Sequence, residues 1–310
     1  MTTLDHTAFP HILDAILTNA PRRVLLTFRA TSQHLRSLAD NILCANADLH
    51  LTATASWSLT SASGALPLLP GDTRASCLSA IKTLTLRMPP SQRRMARKDL
   101  LLPALYLSAT TLRLPDPFLR LSIDGLAPLA EELIVFERIT PSFNCDKTGW
   151  FFPPTISGTR IPTWAKRYVL NIAVRPEEPE LHAATWDAWA VVDEDGRPQS
   201  LNDDREVVVI LHGLPGRPAR SLQVAQHELG ILHGLAEAVA AHPWKWTVVG
   251  VPEMLKVAPH AVAAQDFASR FNEVAGREND FCSMAQYERL RGPRAVLETD
   301  VRTSSTSWME

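Results

Sequence analysis

Histidine, carboxylate and cysteine side chains at short spacing are where chemistry would show first, and several strings invite the test. His227-Glu228 with His233 could suggest a zinc site on a helix. A His-Glu-x-x-His zinc motif sets its two imidazoles one turn apart, on a single helix face. Here the second histidine follows after six residues, a rotation of about 600° that separates the rings around the helix. The pair reads as a surface and a boundary histidine. Asp193-Glu194-Asp195-Gly196 fails as a calcium loop, because its glycine falls at the fourth position rather than the sixth, and it reads as a polar turn. Cys44, Cys77, Cys145 and Cys282 form neither a CxxC pair nor a Cys/His cluster at zinc spacing. They are expected to be reduced thiols. Neither Gly-x-x-x-x-Gly-Lys-Ser/Thr nor Gly-x-Gly-x-x-Gly occurs, so no phosphate cradle is supported. No metal and no cofactor are expected.

Ile210-Leu211-His212-Gly213-Leu214-Pro215-Gly216 is the most enzyme-like string. A strand ending in His-Gly-x-Pro-Gly resembles the oxyanion-hole turn of α/β-hydrolases. That family needs a serine in a Gly-x-Ser-x-Gly elbow, where glycines let a strained turn expose the hydroxyl. No such pentapeptide exists in the chain. No catalytic residue is assigned, and an α/β-hydrolase-like enzyme using the His212-Gly213 turn is kept as the alternative. Arg93-Arg94-Met95-Ala96-Arg97-Lys98, with Arg87 nearby, is the concentrated basic run and reads as a solvated face rather than a targeting signal.

The elements that would position such groups follow from periodicity. Ile12, Leu13, Ile16 and Leu17 lay one apolar stripe along a short helix that Pro10 can open and Pro21 must close. Val24, Leu25 and Phe28 give a second helix its buried face. Thr31 or Ser32 can cap a third, with Leu35, Leu38 and Ile42 in phase. Beyond residue 48 the pattern predicts strands over 82–86, 110–114, 133–137, 168–174, 206–211 and 245–251, and a helix over about 221–241. Val207 to Leu211 is the continuous apolar run of a strand covered on both faces, so parallel pairing with crossover helices is expected. Strand centres Leu84, Leu112 and Ile134 are 28 and 22 residues apart, within the leucine-rich-repeat range. Later steps of 36, 38 and 40 are longer. An irregular leucine-rich-repeat-like arc is preferred, with a doubly wound sheet as runner-up.

With 310 residues, 45% hydrophobic and 21% charged, the chain has the composition of a globular protein of one large or two ordinary domains. Lys+Arg 31 against Asp+Glu 33 leaves a formal charge of −2, so there is no global field for nucleic acid or an anionic membrane. The N-terminus shows no secretory signal, and no window approaches 18 consecutive apolar residues. A protein of the cytoplasm and/or nucleus, outside the membrane, is expected. Residues 175–206 hold ten acidic side chains against Arg175, Arg197 and Arg205 and read as an exposed insertion, with Trp186 and Trp189 packed back as an anchor. A helix over 283–291 is followed by a Ser/Thr-rich end expected to be mobile.

Taken together, Phe9-Pro10, Ile12, Ile16-Leu17, Pro21, Val24-Leu25, Phe28-Arg29 and Ser32, Leu35, Leu38 resemble an F-box, the adaptor-binding helical module of SCF ubiquitin ligases. Phe9 stands where the family has its first Leu, Ala20 where it has the Leu before the break, Ala30 for the Val and Leu35 for the Trp. The resemblance spans residues 8–45. More loosely, such a start joined to an irregular α/β body and a Met-Ala-x-Tyr helix is similar to proteins of expanded fungal families. The resemblance implies an α/β protein in three parts: the F-box-like module over 8–45, a leucine-rich-repeat-like body over 48–280, and a C-terminal helix with tail over 281–310. It implies a non-catalytic, substrate-recruiting receptor that meets a Skp-type adaptor, and through it a cullin, while the body recruits a protein target. The implied adaptor-binding or module-core residues are Phe9, Pro10, Ile12, Ile16, Leu17, Pro21, Val24, Leu25 and Phe28. The competing reading is a scaffold whose helices only cap the body, burying the same residues internally.

Overall fold

The computed structural model describes residues 10–51, 57–61, 67–68, 80–87, 109–115, 130–138, 155–156, 160–174, 185–186, 190–192, 198–199, 204–213, 235–237, 239–251, 253, 264–276 and 278–299. The chain is mixed α/β with mostly parallel strands, and it divides into two compact units, Met1–Arg113 with Pro128–Ala130 and Leu114–Ala127 with Glu131–Glu310.

The first unit opens with α1 (Pro10–Thr18), α2 (Arg22–Thr31) and α3 (Gln33–Cys44). Local chemistry sets their ends. Pro21, in extended geometry, stands at the N-cap of α2, and Ser32 ends α2 while its hydroxyl accepts from the Leu35 N–H at 3.1 Å to cap α3. The Arg29 guanidinium donates to the Asp40 carboxylate, tying α2 to α3. Leu13, Leu17, Leu25, Ala39 and Leu43 form the buried centre of the three helices.

Strands follow immediately: β1 (Asn46–Leu51), β2 (Trp57–Ser61), β3 (Pro67–Leu68), β4 (Thr83–Arg87) and β5 (Thr111–Leu114). β1 pairs with β4 and β4 with β5, both in parallel, while β1–β2 and β2–β3 are antiparallel. Leu84 lies opposite Leu112, so the 28-residue step read from the sequence is a true register match. The three strands before residue 82 were not expected. Their signal was the alternation of Ala47 and Leu49, both buried, with Asp48 and His50, both half-buried.

The second unit contains β6 (Glu132–Arg138), β7 (Thr155–Ile156), β8 (Arg160–Pro162), β9 (Arg167–Val174), β10 (Thr185–Trp186), β11 (Ala190–Val192), β12 (Pro198–Gln199), β13 (Glu206–Gly213) and β14 (Lys245–Val249). It closes with α4 (Ala264–Ala275), β15 (Asp280–Cys282), α5 (Met284–Arg291) and α6 (Pro293–Thr299). Its main strands run β6-β9-β13-β14-β15, all parallel and in chain order without a reversal. Val207 to Leu211 are at most 1% exposed. Each such side chain contributes roughly 1.5–3 kcal/mol by leaving water, which makes β13 the spine of the unit. The stretch expected as an exposed insertion contributes three short strands: β10 pairs with β7, and β11 pairs with β8 and β12. Trp189 lies outside the described residues, and Trp186 is in β10.

Residues 235–237 and 239–241 are helical, with Leu235, Ala236 and Val239 buried, where the sequence predicts the end of a long helix. The rest of that expected helix lies outside the described residues. Ser283 caps α5 in a reciprocal capping box with Gln286. A further helix that was not expected, α6, follows up to Thr299 with Ala295 and Glu298 buried, and the Ser/Thr-rich end expected to be mobile lies outside the described residues. Among the described residues no helix is long and apolar enough to cross a membrane.

Candidate functional site

The N-terminal helices divide their apolar side chains into two sets. Leu17 and Leu25, 0% and 4% exposed, belong to the core, and Phe28 is half-buried against it. Ile12, Ile16 and Val24 are 40%, 46% and 38% exposed, and Pro10 and Pro21 are exposed beside them in sequence. Phe9 lies outside the described residues. Ile12 and Ile16 stand one turn apart on α1, so they share a face. Ile12 and Ile16 thus leave an apolar face of α1 open, and Val24 stands open on α2.

At the carboxyl ends of the central strands, where ligands of open α/β sheets bind, the structure places His212. It was expected in a turn, yet His212 and Gly213 continue β13, opposite Ala173 and Val174 of β9. His212 Nε2 is 2.8 Å from Oδ1 of Asn171, a fully buried side chain whose amide donates to the Val135 carbonyl at 3.4 Å. Burial pulls the imidazole pKa down to about 4, so the ring is neutral at physiological pH. With its proton on Nε2, His212 donates to Asn171. Nearby on the same sheet, burial first, then Asp280 and Glu253, push the Cys282 thiol up to about 11. A protonated buried thiol is not an activated nucleophile.

His212 has a testable consequence. Its folded pKa lies below the ordinary value of an exposed histidine, so its contribution to stability is present above about pH 6.5 and is lost as pH falls towards 4. Unfolding free energy is expected to drop by about 2 kcal/mol between pH 7 and pH 5 through this residue. Urea denaturation at the two pH values checks it, and His212→Gln should flatten the difference. An equal slope in the variant would assign the pH dependence to other groups.

The largest polar cluster lies at the opposite, amino ends of the strands. Glu132, Arg167, Glu206 and Lys245 are the first residues of β6, β9, β13 and β14, and the register sets them side by side with alternating charge. Arg167 Nε donates to Glu206 at 2.8 Å, and its Nη1 donates to Glu132 and, at 2.8 Å, to Glu298 of α6. Its Nη2 lies 3.0 Å from the Tyr287 hydroxyl, which donates to Glu298. Arg291 also donates to Glu298 at 2.8 Å, and Arg294 bridges Glu132 and Glu298. Burial works against the charge on Glu298, but Arg291, Arg167 and Tyr287 outweigh it and hold the carboxyl below its usual range. Burial and Glu298 push the Tyr287 hydroxyl well above its usual pKa. Glu132, Glu206 and Glu298 each meet at least one arginine, so the cluster ties α5 and α6 to the sheet.

Sequence reasoning missed Asn171 and all of this cluster, because its members are scattered from residue 132 to 298. The strings around His227, His233, Asp193 and Arg93 lie outside the described residues. Among the described residues no group of three or more His, Cys, Asp or Glu could hold a metal ion. Comparison with protein-family models, with curated proteins and with solved structures finds no match.

Proposed function

We propose that this chain is an F-box-like receptor of an SCF-type ubiquitin ligase, non-catalytic itself. Residues 10–44 would meet a Skp-type adaptor, and through it a cullin, while the α/β body recruits a protein target in the cytoplasm or nucleus. The observation that carries this reading is the split on the N-terminal helices: a small sealed core beneath, with Ile12, Ile16 and Val24 open above. A mere cap on the body would bury those three. The strand order supports the irregular leucine-rich-repeat-like arc over a doubly wound sheet, because a doubly wound sheet reverses its order at a switch point and the five main strands of the second unit do not. Against a hydrolase-like enzyme stand the His212 side chain engaged with Asn171 and the protonated Cys282.

Co-expression with a fungal Skp-type adaptor followed by size exclusion tests the proposal. The wild type is expected to co-elute with the adaptor one to one. Ile12→Asp combined with Ile16→Asp replaces exposed positions and spares the core, unlike any change at Leu25, and is expected to weaken the complex by at least about 100-fold. Circular dichroism must show the variant folded. A wild type that elutes alone overturns the receptor reading.

A further inference from the structure

The second unit's sheet has one face whose cover differs from the other. Val209, with Leu170 and Val248 opposite it, points to the same side as Phe281. There Phe271 of α4 meets Phe281 edge-on, centroids 5.1 Å apart. On the reverse side Ile134, Phe136, Val169, Val208, Ile210, Val249 and Cys282 form one buried cluster with Tyr287 and Ala295, and with half-buried Met284, from the last two helices. Among the described residues, three side chains of α5 and α6 are the apolar part of that cover. The polar part is the ionic cluster centred on Arg167 together with the Met284 N–H, which donates to Glu253 at 3.1 Å. α5 has eight residues and α6 seven, too short to be stable helices away from a surface. Gly292, in left-handed geometry at φ 57°, joins them.

We propose that residues 283–299 are a strap that closes this sheet face and is released as a unit, before the strands unfold, with the contact between Arg167 and Glu298 setting the release. The physical ground is the unequal character of the two attachments. The strands hold one another by fully buried aliphatic runs and backbone ladders, which no single side chain controls. The strap's polar hold on the strands is a few contacts, Arg167 of β9 to Glu298 and to the Tyr287 hydroxyl, and Arg294 to Glu132 of β6. Glu298 is their hub, since Tyr287, Arg291 and Arg294 within the strap also engage it. Glu206 of β13 and Glu132 of β6, the latter also bound by Arg294, keep Arg167 paired when the strap is away. Release therefore leaves Arg167 paired on the sheet, and it uncovers the largely apolar side chains from Ile134 to Val249, with Asn171 among them. The inference is independent of the adaptor reading, since every residue in it belongs to the second unit.

Hydrogen exchange of the full chain at pH 7, read by mass spectrometry, decides it. In the wild type the amides of 284–299 are expected to exchange at least about tenfold faster than those of 168–172 and 207–211, as a sub-global opening requires. Glu298→Gln keeps the shape and removes the charge. It should speed 284–299 by a further tenfold or more, leaving the strands within about threefold. If that variant does not fold, Tyr287→Phe, which removes only the hydroxyl, is expected to shift the same amides in the same direction. Val209→Ala, on the opposite face, should speed the strands while changing 284–299 much less, because the strap opens without them. Exchange of 284–299 in step with the strands in the wild type, or a charge-removing variant that moves all of them alike, overturns the strap and makes these helices a fixed part of the core.

Discussion

Arg167→Ala is expected to lower the unfolding free energy of the second unit by about 3–5 kcal/mol, the cost of removing one partner from a buried ionic cluster. Arg167 itself is only 12% exposed, and it faces Glu298 at 0% and Glu132 at 4%. Taking it away leaves buried Glu132 with Arg294 alone and buried Glu298 with Arg291, Arg294 and the Tyr287 hydroxyl. Arg167→Lys should recover little, because one ammonium cannot reach Glu206, Glu132 and Glu298 at once as the guanidinium fork does. Urea denaturation at pH 7 measures both. The effect should also fade in acid. The folded pKa of Glu298 is depressed, so its stabilising contribution is present above its unfolded pKa and is lost as pH falls through the lower folded value. Wild type and Arg167→Ala should therefore converge in acid. The neighbouring pair Lys166–Glu131, 2.8 Å apart but 77% and 63% exposed, provides the contrast: Lys166→Ala is expected to cause no measurable change. An Arg167→Ala protein as stable as the wild type would remove the cluster from the account of how α5 and α6 are held.

That cluster also marks the boundary of what the chain discloses when read in one dimension. The strands at 83–87, 111–114, 132–138, 167–174, 206–213 and 245–249 were legible within about two residues at nearly every end, because a buried parallel strand writes itself as an apolar run. The end of β13 was less so. His212 and Gly213 look like turn residues, and only pairing with Ala173 and Val174 keeps them in the strand. α1 to α3 were legible from the two prolines, the Ser32 cap and the helical stripes. β1 was not, since Asn46-Ala47-Asp48-Leu49 follows a helix without a breaker and its alternation is short. α6 was hidden by Gly292-Pro293, which reads as a stop but here turns the chain and restarts it, with proline at the first helical position. Glu132, Arg167 and Glu206 sit at the starts of strands separated by 35 and 39 residues. Their meaning depends on register, and register is a property of the sheet. The exposed set on α1 and α2 was legible as apolar positions, but which of them face outward required the packing. Leu17 and Leu25 turn in, while Ile12, Ile16 and Val24 turn out.

Gly250→Ala is the second large effect, for a reason that owes nothing to charge. Gly250 follows β14 with φ +89°, a region in which a Cβ is strained, and a Cβ built there would lie far inside the contact distance of the Leu211 carbonyl oxygen. The obstacle is backbone at the centre of the sheet, so no side chain can swing aside to relieve it. The Gly250 N–H also donates to the Cys282 carbonyl at 3.0 Å, which draws β15 against β14 at this point. A methyl group must therefore either push β13 away or release β15, and each breaks a ladder. The expected cost is at least about 3 kcal/mol, from strain at a special backbone position combined with overpacking. For a unit of this size that corresponds to a loss of roughly 6–12 °C in thermal midpoint. Gly276→Ala separates the two contributions. Gly276 also has positive φ, +66°, but nothing lies within 4 Å of its added Cβ, so it should cost only about 1–2 kcal/mol. Differential scanning calorimetry of the two variants side by side reads the difference. Equal losses would mean that strain alone acts at Gly250 and that β13 and β14 do not approach as closely there as the geometry requires. A much larger loss at Gly250 would show that the close approach of Leu211 sets how β14 and β15 join the sheet.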